Sequence, residues 1–200
     1  VEVRWIFDAV RQFSMADARR VAELAAERTS DGVVAFGLGG DEARGPVERF
    51  AETLAWAREH ELHLAPHAGE STGAETIWAS LRSGAERIGH GIRAVDDAAL
   101  MRHLRDNDVP LEISISSNVA TGVVGSLDAH PVRRLFDAGV PIVLNTDDPA
   151  MFHTTLVREY ELAAAHFGFS EQELGLLARN SFRHAFTGAG RRLAPRRDTD

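Results

Sequence analysis

Apolar positions along the chain follow two periods that take turns. Short aliphatic or β-branched runs read as strands: "VEVRWIFD" (1–8), "GVVAFGLGG" (32–40), "LHLAPH" (62–67), "RIGHG" (87–91), "PLEISISSN" (110–118) and "VPIVLNTDD" (140–148). Between them, apolar residues recur at helical spacing over 14–28, 45–60, 73–84, 96–108 and 130–139, and the chain after about Pro149 is mostly helical. Cap chemistry supports these boundaries. Ser14 suits an N-cap and Pro46 a first turn, Thr72 and Glu75 have capping-box spacing, and Gly139 suits a helix end. The segment "RRLAPRRDTD" (191–200) reads as a solvated, frayed tail, leaving 1–190 as a single domain.

Strands and helices therefore alternate six times. The strand ends fall near Asp8, Gly40, His67, His90, Ser117 and Asp147. A βα unit takes about 30 residues, and strict alternation implies a parallel α/β sheet. An open doubly wound sheet and a closed (β/α)8 TIM barrel compete. Polar residues at successive strand ends favour the barrel, whose sites collect side chains from many strands, whereas an open sheet concentrates them at one switch point. A barrel has eight strands and six are found. The chain also opens directly on a strand. The expectation is the last six βα units of a barrel, with the N-terminal part missing.

Composition narrows the chemistry. Hydrophobic residues make up 44% and charged residues 26% of 200, which suits one soluble globular core. A net charge of -8 argues against a nucleic-acid partner, since phosphate backbones are met by basic faces. No apolar run approaches the ~18 residues of a membrane span, and no export signal is visible, so a cytoplasmic location is the default. Oligomeric state is not legible. With no cysteine, a metal would be held by His, Asp or Glu. With no lysine, Schiff-base chemistry is excluded.

The candidate residues sit at the strand ends. His63 and His67 share a strand face but lie roughly 13 Å apart at strand rise, so they cannot ligate one ion. His67 is the better candidate, against the alternative of a hydrogen-bonded core histidine. Glu70 follows a turn-permitting glycine. It reads either as a proton shuttle of raised pKa or as a first-turn acid of the next helix. His90 lies between glycines in "RIGHG", or is a loop histidine without a role. Asp147 and Asp148 close "LNTDD", one facing a metal and the next a substrate. Asp148 before Pro149 also suits a helix N-cap. Gly40 in "GLGGDE" offers a backbone N–H or simply makes a turn. Asp41 and Glu42 read as solvated or supporting, and "SSN" (116–118) as a cap.

Together, "GLGGDE" (37–42), "HAGE" (67–70), "RIGHG" (87–91), "SSN" (116–118) and "LNTDDP" (144–149) resemble the adenosine deaminase family of metal-dependent aminohydrolases, in the family's order and over nearly the whole chain. The resemblance implies a (β/α)8 barrel with one zinc. It implies zinc ligation by His67 and Asp147, protonation of purine N1 by Glu70, and orientation of the attacking hydroxide by His90. Asp148 would then bond purine N7, and the Gly40 N–H would reach N3.

Two features depart from the family. It carries a His-x-His pair of zinc ligands on its first strand, and this sequence has none. Residues i and i+2 lie roughly 6.6 Å apart on one strand face, close enough to converge on one ion. Two ligands hold zinc less well than four, so the chain alone is expected to be weak or inactive. Gly37 also stands where close relatives often carry Asp, which leaves the substrate open. The expected function is zinc-dependent deamination of adenosine or deoxyadenosine, with a small purine nucleoside as partner. The alternatives are another 6-aminopurine nucleoside such as aminodeoxyfutalosine, or a truncated inactive paralogue. Free adenine and AMP rank lower.

Overall fold

The computed structural model describes residues 2–187; the tail expected at 191–200 and the boundary at 190 lie outside the described residues. Two short parallel sheets form it, in the order β1 (Trp5–Val10), β2 (Val33–Gly39), β3 (His63–Leu64), and β4 (His67–Ala68), β5 (Ile88–His90), β6 (Leu111–Ile113), β7 (Ile142–Leu144). The sequence reads β3 and β4 as one strand, and physically they are one path. Ala65 N–H donates to the Phe36 carbonyl at 3.1 Å, and Gly89 N–H donates to the Pro66 carbonyl at 3.0 Å. Pro66 has no N–H to give, so the ladder is interrupted there and the chain passes from one sheet to the next. The result is six consecutive strands of a (β/α)8 barrel.

Helices cover the outer face. α1 (Met15–Glu27) begins on a full capping box between Ser14 and Asp17. It packs with α2 (Ala51–Glu59) against β1–β3 through Ala18, Ala22, Ala25, Phe36, Leu38, Leu54 and Leu64. α3 (Ala74–Arg82), α4 (Ala98–Asp106), α5 (Ile115–Ala120), α6 (Val132–Asp137), α7 (Leu156–Phe167) and α8 (Glu171–Arg183) follow. The core over β4–β7 is built on Ile77, Ile88, Leu100, Leu104, Leu111, Ile113, Ile142 and Leu144.

Alternation then sends the other residues of each strand inward. The registers pair Trp5 with Val33 but Ile6 with Ala35, so an extra residue, Val34, bulges from β2. That slip turns Ala35, Gly37 and Gly39 to the inside and Phe36 and Leu38 to the helices. Gly37 is explained here. A Cβ at that position would collide with the Asp8 carboxylate and come within 2.9 Å of the Ala65 carbonyl.

Four local expectations are corrected. "PLEISISSN" is a strand only through Ile113; Ile115–Ala120 is helix α5, because "SSN" turns to make tertiary hydrogen bonds. Residues 45–60 open on a 3-10 turn, Val47–Phe50, before α2. Thr72 does not cap α3, whose N-cap is Gly73; its hydroxyl goes to Glu42 instead. Asp148 caps a turn rather than a helix, accepting from Met151 N–H at 3.0 Å, and α7 starts later on Thr155. Among the described residues no helix is long and apolar enough to cross a membrane.

Candidate active site

The ends of β4, β5, β6 and β7 contribute groups to a common mouth. His67 lies on β4, inward by alternation, with its ring over Gly89 of the neighbouring strand. A Cβ at Gly89 would stand 2.6 Å from His67 Cδ2 and 3.1 Å from its Cα, so a glycine there makes room for the imidazole. Arg11, 2% exposed, reaches up from the end of β1 and donates to the His67 carbonyl at 2.6 Å and the Gly45 carbonyl at 2.6 Å. His90 ends β5. Alternation alone would turn it outward with Ile88, but it has left-handed backbone, φ 59°, which re-aims the ring into the mouth. Asp147 follows β7 with φ 57°. Left-handed backbone at non-glycine residues costs of order 1 kcal/mol or more and concentrates at functional sites.

His67, Glu70 and His90 each offer an atom within 4.8 Å of the others. His90 Nε2 lies 3.7 Å from Glu70 Oε2 and 3.9 Å from Asp147 Oδ2. Asp147 is in turn held by Ser117 Oγ, which donates to Oδ2 at 2.6 Å. A cavity of about 220 Å³ is lined by His67, His90, Asp147, Glu112, Asn145 and Thr146, among others. Glu70, Asp148 and Gly40 are not among its lining residues: Glu70 lies beside His90, and Asp148 is exposed on the turn after Asp147. Gly40 follows β2 with φ 90°, and a side chain there would collide with Gln12. His63, excluded from metal ligation by spacing, pairs with Glu86 at 2.8 Å and stacks on Phe186 at the other end of the strand.

The electrostatics follow from burial. Burial raises the Glu70 carboxyl; His67 opposes this, and Glu42 and Asp147 add to it. Burial lowers His90 to about 4, with His67 adding to the effect and Asp147 and Glu42 opposing it. A raised carboxyl beside a neutral imidazole suits proton transfer.

Three groups support the site; the sequence leaves Glu42 open between solvated and supporting, and the other two escape it. Glu42, read as solvated or supporting, is 2% exposed. Its carboxylate accepts from the N–H groups of Gly69, Glu70 and Ser71 at 2.8, 2.9 and 3.0 Å, and from the Thr72 and Thr76 hydroxyls at 2.7 and 3.0 Å. Burial alone pushes this carboxyl up, but the donors together outweigh it and hold it below the usual range. Glu42 is therefore the clamp that shapes the loop presenting Glu70. Asn118 and His130 form the second group, behind His90: Asn118 Nδ2 is 3.0 Å from His90 Nδ1, and His130 Nε2 is 3.2 Å from Asn118 Oδ1. Arg11 is the third. The available signals were an acid directly after "GLGGD", the "SSN" run and a His-Pro pair before α6.

His67 and Asp147 supply nitrogen and oxygen donors to one cavity, a set that suits zinc or a similar divalent ion. Glu70 and His90 each offer a further donor within 4.8 Å of His67, and Glu112 lines the same cavity.

Comparison with known proteins agrees with this layout. The adenosine deaminase family pattern matches residues 1–196. A putative adenosine/adenine deaminase of Streptomyces coelicolor is 44% identical over 184 residues, covering 92% of this chain and 54% of the relative. An aminodeoxyfutalosine deaminase of the same organism is 41% identical over 190 residues, covering 94% and 49%. An adenine deaminase of Rhizobium leguminosarum is 40% identical over 195 residues, covering 97% and 61%. Among solved structures, the adenine deaminase of Arthrobacter aurescens superposes with a TM-score of 0.84 at 30% identity, over 92% of this chain and 56% of that one. A zinc-bound amidohydrolase from Burkholderia superposes at 0.86 and 22% identity, over 93% and 52%, a likeness of fold. The chain spans about half the length of these relatives. On the family pattern, the identities and the parallel βα layout together, this chain belongs to the adenosine deaminase family.

Proposed function

We propose that this protein hydrolytically removes the 6-amino group of a purine, releasing ammonia, with adenosine or deoxyadenosine as the substrate the sequence argument favours. The observation that carries the reading is the convergence of His67, Glu70 and His90 within 4.8 Å at parallel strand ends, with Asp147 opening onto the same cavity. His67 and Asp147 are the proposed metal ligands. Zinc, when bound, acidifies a water to a pKa near 7 and so supplies the nucleophile at neutral pH.

The chain's own groups do the rest. Glu70, whose carboxyl pKa burial raises, delivers a proton to ring N1, so that the carbon bearing the amino group accepts the nucleophile. His90 orients the attacking oxygen and stabilises the charge that develops on attack. Asp148 and the Gly40 N–H are the proposed contacts to N7 and N3, and they orient the ring. Relatives named for adenine and for aminodeoxyfutalosine make these the competing substrates within the same chemistry.

The test is ammonia release by the full-length protein with zinc, given adenosine, deoxyadenosine, adenine and aminodeoxyfutalosine separately. Glu70→Gln keeps the shape and removes the acid, and is expected to lower kcat on the order of 10²–10⁴-fold. Turnover of adenine or aminodeoxyfutalosine alone reassigns the substrate. Ammonia release unaffected by Glu70→Gln would refute the proton route.

A further inference from the structure

Behind His90 runs a buried hydrogen-bonded line that ends on a backbone amide. Val132 N–H donates to His130 Nδ1 at 3.2 Å. His130 Nε2 stands 3.2 Å from Asn118 Oδ1, and Asn118 Nδ2 stands 3.0 Å from His90 Nδ1. His90, Asn118 and His130 are 3%, 0% and 5% exposed, so water does not compete for these bonds. We propose that Asn118 and His130 are positioning residues that fix the proton of His90 on Nε2 and so present an N–H to the reaction cavity.

The direction of the line follows from its far end. A backbone N–H can only donate, so His130 Nδ1 accepts. His130 is neutral, since burial lowers it to about 4, and a neutral imidazole that accepts at Nδ1 carries its hydrogen on Nε2. That hydrogen points at Asn118. With the amide reversed, its NH2 would face the Nε2–H, donor against donor, so the oxygen faces His130 and the NH2 faces His90. His90 Nδ1 therefore accepts, and Nε2 bears the hydrogen. A ring held in this tautomer donates toward the gap between Glu70 Oε2 and Asp147 Oδ2, 3.7 and 3.9 Å away. It is a hydrogen-bond donor to the reacting oxygen and not an acceptor of its proton at Nε2.

The inference deepens the proposed deaminase reading and rests on it for its catalytic meaning, but its structural half is measured without turnover. Two-bond 1H–15N spectra of the full-length protein, labelled at histidine nitrogens, report each tautomer; the His90 signals are those lost in His90→Gln. The expected wild-type pattern is a bare Nδ1 and a protonated Nε2. Asn118→Asp keeps the shape but leaves only acceptors, so a proton is expected on His90 Nδ1, with kcat down on the order of 10²-fold or more and KM within about threefold. His130→Phe removes the donor that orients Asn118. His130→Gln restores a donor, and recovery of kcat to within about fivefold of wild type is expected only for Gln. Should Asn118→Asp fail to fold, the His130 pair gives the same reading.

A wild-type His90 protonated at Nδ1, or a bare Nδ1 in Asn118→Asp, overturns the relay. Equal kcat in His130→Phe and His130→Gln overturns it as well. If wild type releases no ammonia from any purine, the deaminase reading fails while the spectra still decide the relay.

Discussion

Replacing Glu42 by Gln tests whether the loop that carries Glu70 is held by one buried carboxylate. Glutamine has the same shape, but one oxygen becomes an NH2. In its best orientation the remaining oxygen keeps the N–H groups of Glu70 and Ser71, and the Thr72 and Thr76 hydroxyls rotate to accept. The Gly69 N–H then faces another donor and keeps only its 3.0 Å contact to Thr76 Oγ1. Hydrogen bonds to a charged group contribute about 1.5–3 kcal/mol, roughly twice the neutral kind. Losing one of them and the charge assistance on two others amounts to about 3 kcal/mol. For a domain of about 200 residues that lowers Tm by roughly 6–12 °C. The carboxyl of Glu42 is held below its usual value, so its stabilisation is full above the unfolded pKa near 4.3 and is lost as pH falls through the folded value. The gap between wild type and Glu42→Gln, followed by thermal melts, should therefore close in acid. Because a shift of about 1 Å in a reacting group can cost 10²-fold, kcat should fall about tenfold to a hundredfold. A variant with wild-type Tm and kcat, or a stability gap unchanged down to about pH 3, would refute the clamp.

Gly89→Ala puts a methyl 2.6 Å from His67 Cδ2; overpacking of this kind costs about 1–3 kcal/mol, and metal content measured by elemental analysis should fall with Tm. Retention of full metal content in that variant would contradict the proposed ligand role of His67. Removing metal from the full-length protein with a chelator should abolish ammonia release, and zinc should restore it; activity persisting in protein shown to be metal-free would end the zinc reading. Ser117→Ala removes the 2.6 Å donor to Asp147, and weaker metal retention, on the order of tenfold in affinity, is expected by competition dialysis.

The sequence alone determined what is local. Period-2 runs alternating with helical periods set the βα order; His67, His90 and Asp147 were visible because each closes a strand in the sequence pattern, and Glu70 because it follows the glycine turn after His67. Their gathering needed only the rule that parallel strand ends share one face. Pro66 was on view too, yet its consequence, a ladder interrupted between Leu64 and His67, depends on where the neighbouring strands have N–H groups to pair. Helix α5 was hidden because "SISSN" alternates like a strand while Ser117 and Asn118 are turned to distant partners. What tertiary structure decided has a common form: Glu42 grips Gly69 from 27 residues away, Asn118 meets His90 from 28, and Ser117 meets Asp147 from 30. Each separation is about one βα repeat. Residues one repeat apart become neighbours only when the strands pair, so no local period could announce which buried carboxylate, amide or hydroxyl holds each of these site groups.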